Sequence, residues 1–294
     1  MVAKLLDGRH VANQIKVTLK KNVVDFIKEY SRTPTLAVIL LGDDASSQIY
    51  VVNKHKACDE VGIVAQSYYL SVFTAEDELL KLIAELNAAT NIDGILVQLP
   101  LPSHINMINI INAIDVNKDV DGFHPYNTGC LAMRTSNYAQ ADFLKPCTPM
   151  GIMQLLDFYK IVIKGKNAVV IGASNIVGRP MALEFLKAGA TITICHRFTT
   201  DLEQHVKMAE ILVVATGIPD LIHPSWLHEK HIIVDVGMRR DSNGKLRGEI
   251  NYEQAISKVA WITPVPGGVG PMTIVTLLQN TILASKIIAN SQHS

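Results

Sequence analysis

Lys166-Asn167-Ala168-Val169-Val170-Ile171-Gly172-Ala173-Ser174-Asn175-Ile176-Val177-Gly178-Arg179-Pro180 carries a strand straight into a glycine turn and the start of a helix. The apolar run that ends at Ile171 has the length and β-branched content of a buried strand. Pro180 suits a first helical turn, where a missing N–H costs nothing, and Gly189 suits the C-terminal end. Strand, glycine turn and helix in that order are the context a dinucleotide fingerprint needs. The glycines let backbone N–H groups approach a pyrophosphate, and the helix N-terminus favours anions. Ser174 replaces the central glycine of G-x-G-x-x-G and the last glycine is shifted, so a plain tight turn also satisfies the pattern. Read as a cofactor loop, the stretch offers Gly172, Ala173, Ser174, Ile176, Val177 and Gly178 as contacts.

The strands that follow extend this reading. Thr191–Cys195 ends in His196-Arg197-Phe198-Thr199, with no acid at the tip to hold the ribose hydroxyls of NAD. Arg197, with His196 beside it, instead matches a ribose 2′-phosphate and favours NADP, because a guanidinium fits phosphate geometry. Residues 211–215, 232–236 and 260–263 are strands that end in Thr216-Gly217, in Gly237-Met238 and in the loop 264–273. Such loops fit the walls of a nicotinamide and substrate cleft. The glycines of the last loop suit backbone passing close to a ligand, although a two-turn connector explains them too.

The first half alternates in the same way. Val11, Ile15, Leu19, Val23, Phe26, Ile27 and Tyr30 predict a helix from Arg9 to Tyr30. Thr35–Leu41 reads as a buried strand stopped by Gly42-Asp43-Asp44, and the next segment as a helix ending near Gly62. That helix places Tyr50 and Lys54 one turn apart on one face, which a solvated surface pair would also explain. Val64–Leu70 is a strand. Thr74 is the expected N-cap of a helix with an apolar stripe at Leu79, Leu82, Ile83 and Leu86. Residues 93–98 form another strand, which ends at Gln98 and is broken by Leu99-Pro100-Leu101-Pro102. Residues 107–114 read as a short helix. Residues 115–127 read as a loop containing Lys118-Asp119-Val120-Asp121-Gly122, and residues 152–159 as a helix after the break at 146–151. Strand–helix alternation implies parallel sheets covered by helices, with ligands beyond the carboxyl ends of strands.

At 294 residues the chain has room for about two domains. Its 27 basic and 27 acidic residues cancel, which argues against nucleic acid or a membrane surface as partner. The best apolar runs, such as Thr35–Leu41 and Ile211–Ala215, are of strand length and far short of a membrane span, and the N-terminus has no apolar signal core, so a cytoplasmic protein is expected. Cys58, Cys130, Cys147 and Cys195 lack a paired framework and read as reduced thiols, and no cluster has metal-ligand spacing.

Taken together, the motifs resemble the bacterial kind of bifunctional methylenetetrahydrofolate dehydrogenase/methenyltetrahydrofolate cyclohydrolase. The carriers are Ala45-Ser46 through Tyr50 and Lys54, Val97 to Pro102, Lys118 to Gly122, Pro146-Cys147-Thr148-Pro149, residues 172–180, His196-Arg197 and residues 264–273. The resemblance spans nearly the whole chain, with the motifs in the family's order. It implies an α/β fold of two domains with a cleft between them. Residues 1–143 would form a parallel-sheet catalytic domain for folate, with helix 273–294 packing back on it. Residues 144–272 would form a Rossmann-like NADP-binding domain. It also implies tetrahydrofolate derivatives as substrates, a homodimer, and a supply of one-carbon units to purine biosynthesis.

By the same resemblance, Lys54 is the catalytic lysine that moves protons in hydrolysis. Gln98 hydrogen-bonds it, Tyr50 packs on the folate, and Asp121 accepts from the amino-pyrimidine edge of the pterin. Leu99, Pro100, Pro264, Gly267, Gly268 and Pro271 complete the substrate contacts. The cofactor contacts are those of the glycine turn with His196, Arg197, Thr216, Gly217, Gly237 and Met238. An ordinary lysine, near 10.4, is a poor base at neutrality, and efficient work asks for roughly 7–8. That difference needs about 4 kcal/mol of destabilisation of the ammonium, which burial beside an aromatic ring and the bound cationic methenyl group would supply. Two positions depart from the family. Ala173 stands where some members carry an arginine for the 2′-phosphate, and Met238-Arg239-Arg240 stands where Ile-Asn-Arg is common. Two other readings stay open. Tyr50-x-x-x-Lys54 also has the spacing of short-chain alcohol dehydrogenases, although there the glycine turn precedes the pair. A non-catalytic folate- or nucleotide-binding homologue is the second.

Overall fold

The computed structural model describes residues 2–133, 143–241 and 244–292. In chain order the first half holds β1 (Lys4–Leu5), α1 (Gly8–Tyr30), β2 (Thr35–Leu41), α2 (Ala45–Val61), β3 (Val64–Leu70), α3 (Glu76–Ala88), β4 (Gly94–Val97), α4 (Met107–Ala113) and α5 (Pro125–Met133). The second half holds α6 (Cys147–Phe158), β5 (Asn167–Ile171), α7 (Gly178–Lys187), β6 (Thr191–Cys195), α8 (Leu202–Met208), β7 (Ile211–Val214), β8 (Ile232–Asp235), β9 (Arg239–Arg240), β10 (Leu246–Arg247), α9 (Tyr252–Ala255), β11 (Trp261–Ile262) and α10 (Val269–Gln292).

The chain divides into two compact units. One, labelled the folate unit after the expectation above, comprises Gln14–Cys147 with the segment from Ile274 onward; the other, labelled the nucleotide unit in the same way, comprises the N-terminal segment through Asn13 with Thr148–Thr273. The expected boundary at 143/144 thus falls at 147/148. The first 13 residues, expected in the folate domain, belong to the nucleotide unit. Strand pairing is the reason: Lys4 and Leu5 lie in parallel register with Trp261 and Ile262. Helix α10 contributes to the folate unit from Ile274 onward.

The folate unit is built on a parallel sheet in the order β3-β2-β4. All seven residues of the central strand β2 are buried, as expected for a strand covered on both faces. One face packs Ala37, Ile39, Leu41, Ile95 and Val97 against Leu79, Ile83 and Leu86 of α3 and Ile110 of α4. The chain leaves β2 for β3 on one side and returns to β4 on the other, so a topological switch lies between β2 and β4. The nucleotide unit is a parallel sheet in the order β1-β11-β8-β7-β5-β6, with β9 and β10 as a separate antiparallel pair. Its switch lies between β5 and β7. Val169, Ile171, Leu212, Val214 and Ile233 fill its core with Val206 of α8.

Several local expectations are corrected. Thr74 is not the cap of α3: the N-cap is Ala75, without a side-chain bond, and Glu76, Asp77 and Glu78 in the first turn complement the helix dipole. The loop expected to reach Asn127 ends at Pro125, where α5 begins. Helix α6 starts at Cys147, so the proline-rich stretch is its first turn rather than a linker. Helix α10 starts at Val269 and takes up half of the expected loop 264–273. It is also long and apolar enough to cross a membrane by length and composition, with a mean hydropathy of 1.4, against the expectation that the best apolar runs are of strand length. Most of it is buried, the pattern of a core helix.

Candidate active site

Helix α2 is set by both of its ends. The Asp44 side chain accepts from Ser47 N–H, and Gly62 ends the helix with φ 89. Between them Tyr50 and Lys54 share one face. The Lys54 ammonium donates to Gln98 Oε1 at 2.8 Å, and the Gln98 amide donates to the Leu99 carbonyl at 2.7 Å. Gln98 follows β4, and its own N–H bonds to the Ile39 carbonyl of β2 at 2.8 Å. Lys54 is therefore held at the carboxyl ends of β2 and β4, at the switch of the folate unit.

Burial pulls the Lys54 ammonium below the usual lysine value. The Asp121 carboxylate, then Cys147 and Cys58, push the other way without cancelling it. Asp121 is raised by burial, opposed by Lys54. Burial also raises the Tyr50 hydroxyl and pushes the Cys58 thiol up to about 12. Desolvation thus dominates at this cluster, and it weakens the charged forms of amine and carboxyl together. An amine lowered in this way gives up a proton more readily than an ordinary lysine, which suits it to proton transfer.

The stretch Lys118-Asp119-Val120-Asp121-Gly122 divides its work. Lys118 is buried, and its ammonium donates to the carbonyls of Leu86, Asn87 and Ala89, closing the C-terminal end of α3. Asp119 accepts from the N–H groups of Phe123 and His124 and from the Asn127 amide, which organises the start of α5. Asp119 and Asp121 both line a small apolar cavity with Leu99 and Phe123, and of the two it is Asp121 whose carboxylate acts on the Lys54 ammonium. The Asp121 loop is clamped from α10. The Asn280 amide donates to the Val120 and Lys145 carbonyls, both at 2.8 Å, and the Cys147 N–H donates to the Asp121 carbonyl at 3.2 Å. Gly122 has φ 75, and a Cβ there would lie 2.2 Å from the Lys145 carbonyl carbon, so the turn demands glycine.

In the nucleotide unit the glycine turn opens at the switch between β5 and β7. A Cβ on Gly172 would lie 2.1 Å from the Ala215 carbonyl oxygen, and one on Gly178 would lie 1.9 Å from that of Gly172. Only glycine allows the strand, turn and helix to close this tightly. The Ser174 hydroxyl accepts from the N–H groups of Val177 and Gly178 at the start of α7. Such a cradle at a helix N-terminus fits a pyrophosphate. His196 at the end of β6 donates its N–H to the Thr199 hydroxyl, and the Arg197 guanidinium lies 4.8 Å from the Phe198 ring centre. Arg179 donates from Nε to the Ala173 carbonyl at 3.2 Å and so brings a second guanidinium to the turn. Thr216 and Gly217 follow β7 and bond to the buried Glu249 carboxylate. Gly237 donates its N–H to Asp235 at 2.9 Å, and Met238 is partly exposed.

Pro264, Gly267, Gly268 and Pro271 also belong to the nucleotide unit. The glycines there are explained by the chain's own packing. Gly267 has φ 114, and a Cβ on Gly268 would lie 2.6 Å from the Pro264 carbonyl oxygen and 2.7 Å from Thr263 Cβ.

Residues 6–121 match the model of the tetrahydrofolate dehydrogenase/cyclohydrolase catalytic domain. Residues 146–289 match that of the same family's NAD(P)-binding domain. The chain belongs to the tetrahydrofolate dehydrogenase/cyclohydrolase family. A curated member, the bifunctional protein FolD of Legionella pneumophila, is 55% identical over 97% of this chain and 98% of its own length. The crystal structure of the bifunctional FolD methylenetetrahydrofolate dehydrogenase/cyclohydrolase from Campylobacter jejuni is 47% identical, covers 97% of this chain and 99% of its own, and superposes with a TM-score of 0.91. The Trypanosoma brucei enzyme, solved with NADP cofactor and an inhibitor, is 34% identical over the full length of both chains, with a TM-score of 0.91.

Reading the motifs of this tetrahydrofolate dehydrogenase/cyclohydrolase chain did not find Asn280, Arg179 or Glu249. Asn280 sits in the middle of an apolar helix and Glu249 in an irregular segment, where no periodicity marks them. Arg179 lay inside the quoted glycine stretch, but its side-chain direction has no sequence signal.

Proposed function

We propose that this chain oxidises 5,10-methylenetetrahydrofolate to 5,10-methenyltetrahydrofolate with NADP, then hydrolyses the product to 10-formyltetrahydrofolate. The observation that carries the reading is the Lys54 ammonium, 2.8 Å from Gln98 Oε1 and lowered in pKa by burial, in a chain whose two parts match the family's two domain models. In the hydrolysis, Lys54 accepts a proton from the water that adds to the methenyl carbon and returns it to the departing ring nitrogen. Gln98 holds the amine in place by accepting a hydrogen bond from it. Asp121 accepts from the amino-pyrimidine edge of the pterin, Tyr50 packs on the substrate, and Leu99 and Pro100 shape its surroundings. Pro264, Gly267, Gly268 and Pro271 are proposed as further substrate contacts.

NADP, when bound, supplies the hydride acceptor. The turn 172–178 holds its pyrophosphate, Arg197 with His196 its 2′-phosphate, and Thr216, Gly217, Gly237 and Met238 its nicotinamide end. The oxidation needs orientation more than a base, so Lys54 matters less there. The reading extends to a cytoplasmic homodimer that feeds purine biosynthesis and binds neither nucleic acid nor membrane. The four free cysteines and the balanced charge support it.

The test supplies methylenetetrahydrofolate with NADP+ or NAD+ and follows NADPH and the methenyl absorbance separately. Lys54→Met is expected to lower hydrolysis of methenyltetrahydrofolate by about 100-fold or more, with a smaller loss in oxidation. Wild-type hydrolysis by that variant removes Lys54 from the mechanism. Turnover of simple alcohols by the wild type, without folate activity, overturns the whole reading.

A further inference from the structure

Glu249 lies between β10 and α9, and it is 4% exposed. Its carboxylate accepts from Thr216 N–H at 2.8 Å, from the Thr216 hydroxyl, and from Gly217 N–H at 2.9 Å. Its backbone carbonyl accepts from Asp220 N–H at 2.8 Å. One residue therefore anchors both ends of the loop 216–220 that follows β7. The residue is itself fixed from β8, because Asp235 accepts from the N–H groups of Glu249 and Ile250 at 3.0 and 2.8 Å. Its side chain also passes over Gly237, where a Cβ would lie 2.3 Å from Glu249 Cγ. Gly237 is glycine because the Glu249 side chain occupies that space.

This geometry fixes the loop's polarity. A trans peptide points its N–H and its carbonyl in opposite directions. With the Gly217 N–H bound to the carboxylate, the Thr216 carbonyl faces away from it. The loop stands at the carboxyl end of β7, beside the switch where Gly172 meets Ala215. The apolar core of the unit is formed by other residues, among them Val214, Ile222 and Ile233, so it does not depend on this carboxylate.

We infer that Glu249 is a positioning residue for the dinucleotide: it sets the 216–217 loop so that the Thr216 carbonyl accepts from a donor group of the cofactor, a ribose hydroxyl or a carboxamide. The inference rests on the proposed NADP-binding role of this unit. Glu249 acts through the loop and touches no reacting atom.

The experiment uses the full-length chain with Glu249→Gln, which keeps the side chain's size but replaces one of the two acceptor oxygens with an NH2 donor, so that one of the Thr216 and Gly217 N–H groups meets a donor. NADPH binding is measured by fluorescence titration, and hydrolysis of methenyltetrahydrofolate is measured without nucleotide. The expected result is a Kd for NADPH raised about tenfold or more, with hydrolysis unchanged. Wild-type NADPH affinity in the variant, or hydrolysis falling in step with binding, overturns the inference. Thr216→Val, which removes one donor and leaves the carboxylate in place, covers the case in which Glu249→Gln fails to fold. It is expected to weaken NADPH binding by about threefold or more, and an unchanged Kd counts against the inference. A wild-type chain that hydrolyses the folate but binds no NADPH overturns the cofactor reading itself.

Discussion

Lys118, Asp119 and Asp121 show how little a charged letter says about its work. Three ionisable residues within one short loop cap one helix, start another, and face Lys54. The positions are visible in the sequence, but the assignment depends on which backbone groups each side chain meets. Arg197 is the opposite case. Its place at the tip of β6, and the lack of an acid there, already pointed to a 2′-phosphate. Arg197→Ala is expected to raise the Michaelis constant for NADP+ about tenfold, the scale of losing one charge-assisted pair, with little change for NAD+. Initial-rate kinetics with both cofactors decide it, and equal losses would remove the phosphate role. Arg179, bonded to the Ala173 carbonyl, adds positive charge at the glycine turn, so the residual NADP preference of that variant should fall again when Arg179 is also removed.

Among the elements, α10 carries more than packing. The sequence marks a helix here, but no local pattern says where the Asn280 side chain goes. The fold buries Asn280, where its amide ties the Val120 and Lys145 carbonyls together beneath the Asp121 loop. Asn280→Ala leaves both carbonyls without that donor. Stability is expected to fall by roughly 1–3 kcal/mol. The Michaelis constant for the folate is expected to rise more than NADPH affinity changes. Denaturant titration and separate binding assays check this. A variant that loses stability with an unchanged folate constant would show that the clamp is structural only.

For the molecule as a whole, two buried carboxyls shape the dependence of stability on pH. Burial raises Asp119 to about 7 and Asp235 to about 6. Above the ordinary carboxylate range, the unfolded chain has lost these protons while the folded chain keeps them. Their contribution is therefore full at low pH and is lost as pH rises through about 6 for Asp235 and about 7 for Asp119. Asp119→Asn, which cannot titrate, should show a smaller fall in thermal midpoint between mildly acidic and mildly alkaline buffer than the wild type. Each kcal/mol is worth about 2–4 °C at this size. An identical fall in both proteins would mean that Asp119 does not titrate in this range.

The alternation of strands and helices, both parallel sheets and the glycine turn were legible because they rest on local signals. Strand runs, turn residues and one-turn spacing act over a few positions, and the resemblance supplied the lysine–glutamine partnership. Three features were settled only in the folded chain. The first 13 residues join the nucleotide unit through β1, α10 leaves that unit at Ile274, and Asn280 and Glu249 reach the loops they hold. The physical reason is the same in each case. A strand pair or a buried hydrogen bond between segments far apart in the chain has no period and no spacing, so its partner is chosen by packing. The sequence by itself determined what each segment becomes and which chemistry it carries; the tertiary structure decided which segments meet.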